Sequence, residues 1–378
     1  MKLGSLGEIF IGLTYKPDDV SENGTIVLRS SNIQDGHLDF NDIIRVKCNI
    51  RDKLYVHEND ILMCSRNGSA LLVGKCTIIP QLCEKMTFGA FMTVIRTPIN
   101  QYLRYFFESE CFRKQLKGSA TTTINQITRS MLDEIDVPIY DIKQQNQIVS
   151  SLTQVYSLIE LRKQQLSKLD ELVKARFVEM FGDPMTNSNG YILKKYGDLF
   201  ELNAGGTPSK KKSEYWDNGT ISWIGSNMCQ NTVIYENDGN YITKEGLEHS
   251  SARMFPVDTV LIALVGATIG KTALLKFETT TNQNVLGVRG IRESGYTSEF
   301  VFYYTQGLYQ KFLNIGDGGF AMASKGFISE LPVPVVDLAL QKQFTTFVEQ
   351  IDKSKAEIQK SLEKLETLKK ALMQKYFG

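Results

Sequence analysis

The sequence predicts an α+β chain built of two similar globular modules, each followed by one long helix. A repeat is the first reason. Val137-Pro138-Ile139-Tyr140-Asp141 returns as Val333-Pro334-Val335-Val336-Asp337, and Ala175 to Gly182 returns as Ala371 to Gly378, at a constant offset of 196 residues. The closing stretch, Leu338 to Gly378, is the second reason, because its apolar residues keep one helical stripe. The third is that the remainder of each half reads as many short strand-like runs with few helices. The alternating strand–helix rhythm of a doubly wound sheet is missing.

In the closing stretch the stripe consists of Phe344, Val348, Ile351, Ile358, Leu362, Leu365 and Leu372. Their spacings of four, three, seven, four, three and seven put them on one face. Lys355 and Lys369 are the two interruptions, and no Gly or Pro lies between Ala339 and Phe377. A helix of about 38 residues would be about 57 Å long. Periodicity alone leaves a coiled coil, a helical spacer and one face of a bundle open.

The chain has 378 residues, room for about two or three domains. With 42% hydrophobic and 22% charged residues it builds cores and is not a disordered chain. The 43 basic and 42 acidic side chains balance, so net charge gives no nucleic-acid signal, although a basic face can be offset elsewhere. Cys48, Cys64, Cys76, Cys83, Cys111 and Cys229 have no CxxC spacing and do not recur between the halves. They read as free thiols of a reducing compartment. His37, His57 and His249 are too scattered for a metal site, and no metal ligands are expected. No secretory pattern opens the chain and no apolar run reaches membrane-spanning length, so a soluble, cytoplasmic protein is expected.

In the first half, Asn23-Gly24 reads as a turn before a strand at Thr25 to Arg29. Further strands are expected at Asp60 to Cys64, Ala70 to Val73 and Phe91 to Ile95, with a helix over Gln101 to Leu116. Polar clusters follow the strands: Arg29, Ser30, Ser31 and Asn32, then Arg66, Asn67, Gly68 and Ser69, then Thr121, Thr122, Thr123, Asn125 and Gln126. Arg, Asn, Gln and Ser read base edges, and Thr and Lys touch phosphates. Polar turn residues that only cap the fold are the alternative.

The second half restates this frame, with offsets drifting between 193 and 198 as loops lengthen and shorten. Asn23-Gly24-Thr25-Ile26 corresponds to Asn218-Gly219-Thr220-Ile221, Ser31-Asn32 to Ser226-Asn227, and Gly74-Lys75 to Gly270-Lys271. Gly205-Gly206-Thr207-Pro208-Ser209 leads into Lys210, Lys211 and Lys212, which either pair with phosphate or form a solvated turn. Ser226, Asn227, Asn284, Lys271 and Lys325 complete the polar candidates, Lys325 following the Gly316 to Gly319 loop. Gly266 to Thr272 resembles a phosphate-binding loop but is one residue short of GxxxxGK[ST]. An apolar run follows it, so it reads as a tight hairpin rather than a nucleotide site, with Lys75 and Lys271 still able to face a phosphate backbone.

No GxSxG, HExxH or repeated Cys–His set occurs, and no carboxylate pair stands out. No catalytic residue is expected. The duplication favours recognition of something bipartite. A protein-gripping scaffold without DNA specificity is the alternative, and an enzyme with its own centre comes third.

Trp223-Ile224-Gly225-Ser226-Asn227, Val265 to Lys271, Leu331-Pro332-Val333-Pro334 leading to Gln341-Lys342-Gln343, and Phe181-Gly182-Asp183-Pro184 carry a resemblance when taken with the repeat. Over essentially its whole length the chain resembles the specificity subunit of type I restriction-modification systems. The resemblance implies target-recognition domains at 1–141 and 183–337, each reading half of an asymmetric, split duplex DNA sequence. It implies conserved spacer helices at 142–182 and 338–378 that pack antiparallel and separate the domains. Leu152, Val155, Ile159, Leu166, Leu169 and Val173 of the first would then face the stripe of the second, and Lys355 and Lys369 would mark where that seam opens to a partner. It also implies a non-catalytic chain that binds no cofactor. Two modification (methyltransferase) subunits and the restriction (endonuclease and translocase) subunits would carry S-adenosylmethionine, ATP and magnesium. The first module departs from the pattern, with Leu28 and Ser30 where the second has Trp223 and Gly225.

Overall fold

The computed structural model describes residues 1–118, 126–315 and 322–378. Ile142–Phe181 and Leu338–Phe377 are each one uninterrupted helix of 40 residues. At 1.5 Å per residue each is about 60 Å long. The chain divides into two compact units, Met1–Lys163 with Lys360–Gly378, and Gln164–Gln359. Each unit therefore contains a stretch of both long helices. The protein is α+β, with two similar sheet-based modules and two long helices.

The first unit is centred on an antiparallel sheet in the order Glu8–Ile11, Met92–Arg96, Ile61–Cys64, Cys76–Ile78. Successive side chains of a strand point to opposite faces. Ile61 and Met63 join Ile9, Ile95 and the aromatic residues Tyr102 and Phe106 in one core, while Leu62 and Cys64 join Ile26, Leu28, Phe88 and Val94 in another. Coverage on both faces is why Ile61–Cys64 is apolar throughout. The second unit repeats the order with Glu201–Ala204, Val285–Arg289, Val260–Ala263 and Thr272–Leu275, and adds Thr232–Ile234 as a parallel edge. Val260 and Ile262 again face one core, and Leu261 and Ala263 the other.

The matched sequence segments prove to be matched fastenings. The buried amides of Gln145 and Gln341 donate to the carbonyls of Tyr140 (2.7 Å) and Val336 (3.0 Å), five residues back, and fix the start of each long helix. Tyr102 and Tyr296 donate their hydroxyls to the carbonyls of Pro138 (2.6 Å) and Pro334 (3.1 Å). Gly74 (φ 87°) and Gly270 (φ 73°) occupy the left-handed region that glycine tolerates best. Each closes a hairpin by donating its N–H at 2.8 Å, to Cys64 and to Ala263 respectively.

Within each unit the two helical stretches run antiparallel. In the first, Tyr140 donates to the Tyr376 carbonyl at 3.1 Å, and Phe377 packs 5.3 Å from Tyr102 beside Ile148 and Leu152. In the second, the Phe177 and Phe181 rings lie 5.3 and 5.6 Å from Phe344. Of the expected stripe residues, Leu152, Val155, Ile159, Val173, Phe344 and Val348 are buried. Leu166, Leu169, Ile351, Ile358, Leu362, Leu365 and Leu372 are half-buried.

Several expectations change. Lys355 and Lys369 do not mark an open seam. The Lys355 ammonium pairs with Asp170, and Lys369 sits 4.1 Å above the Tyr156 ring, each within its own unit. Ala70 to Val73 is a turn, not a strand, and Leu71 is 94% exposed. Cys76–Ile78, just after it, is the segment that pairs with Ile61–Cys64. Asn23-Gly24 lies inside the strand Val20–Leu28, which irregularly pairs with Arg45–Val46. Gly24 is needed there because a Cβ would collide with the Val46 carbonyl.

Candidate nucleic-acid interface

In each unit the polar candidates come from a short 3-10 turn and a hairpin loop. In the first unit the turn is Ser30–Asn32 and the loop runs from Ser65 to Lys75, between Ile61–Cys64 and Cys76–Ile78. The Asn67 amide donates to the Ser30 hydroxyl at 3.2 Å, joining the two, while its own oxygen accepts the Ser69 N–H at 2.9 Å. Arg66 is exposed, with its guanidinium 5.6 Å from the Phe91 ring centre, and its backbone bridges to Gln126. Thr122 and Asn125 lie outside the described residues.

The turn's own residues divide by burial. Asn32 is only 1% exposed. Its oxygen accepts the Arg29 N–H at 2.8 Å, and its amide donates to the carbonyls of Asp39 (3.0 Å) and Asp42 (2.8 Å). It fastens the turn from inside and is not presented to a duplex, which corrects the expectation from its polar type. The Arg29 guanidinium, expected to meet DNA, is already paired with the Asp42 carboxylate at 2.7 Å. Ser31 is half-buried, and its carbonyl accepts the Gln34 side-chain amide at 2.9 Å. The Lys75 ammonium donates to the Gln34 oxygen at 3.4 Å.

In the second unit the turn is Ser226–Met228 and the loop runs from Leu264 to Lys271. Asn227 is exposed, and its carbonyl accepts the Gln230 side-chain amide at 3.0 Å. Lys271 donates to the Gln230 oxygen at 2.9 Å. Gly270-Lys271 enters the strand Thr272–Leu275, so the turn's amides do not open a helix as those of a phosphate-binding loop do. Met322 bridges to Val265 where Gln126 meets Arg66 in the first unit.

A further loop, Gly205 to Lys212, is braced by the chain's two tryptophans. Trp223 donates to the Gly206 carbonyl at 3.1 Å, Trp216 donates to the Ser209 carbonyl at 3.2 Å, and their rings meet edge to face at 5.3 Å. Thr207 donates to the Gln283 oxygen at 2.5 Å. Lys210 and Lys211 are exposed on this braced loop, whereas Lys212 turns back to the Tyr215 hydroxyl at 2.8 Å. Asn284 is half-buried, its carbonyl accepting the Leu264 N–H at 2.8 Å, and Lys325 is exposed just after the capping residue Ser324.

Sequence reasoning missed Gln34 and Gln230. Their shared offset of 196 was the available signal. Among the described residues, no group of three or more His, Cys, Asp or Glu side chains is placed to hold a metal ion, and no helix is long and apolar enough to cross a membrane. Burial pushes the Cys76 and Cys229 thiols up to about 12.

The profile of the type I restriction modification DNA specificity domain matches this chain twice, over residues 1–171 and 190–370. The chain belongs to that family. A type I specificity chain with two DNA specificity domains accounts for the repeated turn-and-loop arrangement. The EcoR124I/EcoR124II specificity subunit of Escherichia coli is 35% identical over 98 residues, 25% of this chain and 24% of that protein. The MjaIX specificity subunit of Methanocaldococcus jannaschii is 30% identical over 190 residues, 49% of this chain and 43% of its own length. These matches span less than half of either relative. The putative MjaX specificity subunit of the same archaeon aligns over 96% of this chain and 88% of its own, at 21% identity. The crystal structure of a type I S subunit from M. genitalium shares the fold over 100% of this chain and 95% of that one, with a TM-score of 0.59 at 15% identity.

Proposed function

We propose that this chain reads a bipartite, asymmetric duplex DNA sequence and directs partner methyltransferase and restriction subunits to it. One observation carries the reading. The two units share one four-strand order and the same fastening at the start of each long helix, yet their exposed loops differ. A shared frame with different loops suits two related half-sites of different sequence. Arg66 and Asn67 in one unit, and Asn227, Lys210 and Lys211 in the other, are the exposed or half-exposed groups offered for this task. Base edges in the major groove are told apart by such donors and acceptors.

The long helices are the proposed spacer, their length helping to set the gap between half-sites, and the proposed seat of two modification subunits. Exposed apolar residues on the first helix, Leu158, Leu161, Leu172 and Val178, support a docking role. Methyl transfer from S-adenosylmethionine and ATP-driven, magnesium-dependent cleavage are assigned to the partner subunits, and this chain is proposed to be non-catalytic.

The test is a domain exchange. Replacing residues 1–141 with those of another specificity chain, then mapping methylated sites in cells that also carry the modification partner, should alter one half of the recognised sequence. A change in both halves would overturn the bipartite reading. Binding of partner proteins without salt-dependent DNA binding would favour the scaffold alternative instead.

A further inference from the structure

If two units read different half-sites, whatever they share on their exposed surface must meet something both half-sites share. Their buried common features, such as the Gln145 and Gln341 fastenings, serve the fold. One common feature is exposed. Lys75 donates to the Gln34 oxygen, and the Gln34 amide donates to the Ser31 carbonyl; Lys271 donates to the Gln230 oxygen, and the Gln230 amide donates to the Asn227 carbonyl. All three members sit at the same offset of 196 residues, which pairs Ser31 with Asn227 and not with Ser226, the partner that residue type alone suggests. The link joins the hairpin loop to the 3-10 turn in both units, although the loops are otherwise dissimilar.

The chemistry of the link leaves its cation with no charged partner among the described residues of either unit. Several ordered cations are neutralised: Arg29 by Asp42, Arg45 by Glu84, Arg96 by Asp60, and Lys276 by Asp258 and Glu299. Lys75 and Lys271 are instead held by a neutral amide, and among the described residues neither has a carboxylate within ion-pair distance. An ammonium has three donors, and the glutamine engages one. The brace therefore positions a full positive charge on the recognition loops without cancelling it. What both half-sites share is the phosphodiester backbone.

We propose that Lys75 and Lys271 are paired phosphate anchors, one per unit, with Gln34 and Gln230 as their positioning residues. The proposal rests on the DNA-recognition reading and deepens it. The anchors fix each unit's register on the duplex and carry no sequence information, as backbone contacts do. Sequence is left to the side chains that differ around them, Arg66 and Asn67 on one side and Asn227 and the Lys210–Lys211 loop on the other.

The experiment measures duplex affinity against salt for the full chain assembled with its modification partner. Both a mixed-sequence duplex and a duplex carrying the methylated motif are used. Lys75→Met and Lys271→Met should each lower the salt slope by about 0.9, and together by about 1.8, on both duplexes. The motif methylated in cells should stay the same. Lys75→Arg and Lys271→Arg should keep the slope, which separates lost charge from lost folding. Gln34→Leu should keep the slope while weakening binding. An unchanged slope in the methionine variants, or a changed base in one half of the motif, would overturn the anchor role. An unmodified assembly that shows no salt-dependent binding would instead remove the DNA-recognition reading itself.

Discussion

Gly74 and Gly270 offer an internal comparison, because one substitution can be made at equivalent places with unequal surroundings. Both residues have positive φ, 87° and 73°. Alanine in that region costs about 1–2 kcal/mol at either place. At Gly74 an added Cβ meets the Ile127 Cδ1 at 3.6 Å and the Phe112 Cε1 at 3.8 Å, ordinary contact distances. At Gly270 it meets the Phe312 Cγ at 2.5 Å, and Phe312 is fully buried with the Phe327 ring 5.4 Å away. Overpacking of this kind adds about 1–3 kcal/mol. Gly74→Ala should therefore cost about 1–2 kcal/mol and Gly270→Ala about 2–5 kcal/mol. A chain of two units has no single unfolding free energy, so the readout must be local. Amide hydrogen exchange at Cys76–Ile78 reports the first hairpin, and exchange at Thr272–Leu275 the second. Equal losses in the two variants would show that the contact with Phe312 is not what sets the cost.

Phe377→Ala removes a buried ring that packs on Tyr102 and Phe106, and should destabilise the first unit by about 3–5 kcal/mol, seen as faster exchange at Ile61–Cys64 with little change at Val260–Ala263. Lys355→Glu places a carboxylate beside Asp170 and Asp352 and should cost the second unit on the order of 1 kcal/mol in a denaturant titration, an effect that high salt reduces. Burial raises the pKa of Asp352, with Asp170 and Glu299 adding to the rise and Lys355 and Lys276 opposing it. A carboxyl whose folded pKa lies above its unfolded value supports folding when protonated, and that support is lost as pH rises through the folded pKa. Asp352→Asn should therefore stabilise the second unit at neutral pH, and the gain should vanish in acid below the ordinary carboxylate range; a gain that persists there would refute the titration account.

The two helices were legible because a 3.6-residue stripe and a gap-free repeat are both local patterns. The doubly covered strands were legible for the same reason, as Ile61–Cys64 and Val260–Ala263 are short apolar runs. Asn-Gly shows where local reading ends. Asn218 sits in a turn, while Asn23 lies within a strand, and what the two pairs share is a glycine pressed against a neighbouring backbone, Val46 for Gly24 and Ile242 for Gly219. That need belongs to the partner strand and leaves no mark in the dipeptide. Asn32 was misread because side-chain type gives chemistry but not direction. Gln34 and Gln230 were overlooked because each acts through a lysine 41 residues away in sequence.

The first unit is assembled from both ends of the residues described, and this has a consequence for synthesis. Gln164–Gln359 is one unbroken stretch, so the second unit has all its residues once Gln359 has left the ribosome. The first unit begins with Met1, yet part of its core is Phe377. Translated first, it is completed last. Until then the surface of Tyr102 and Phe106 that Phe377 covers is open, which makes the nascent first unit the one that most needs shielding from aggregation.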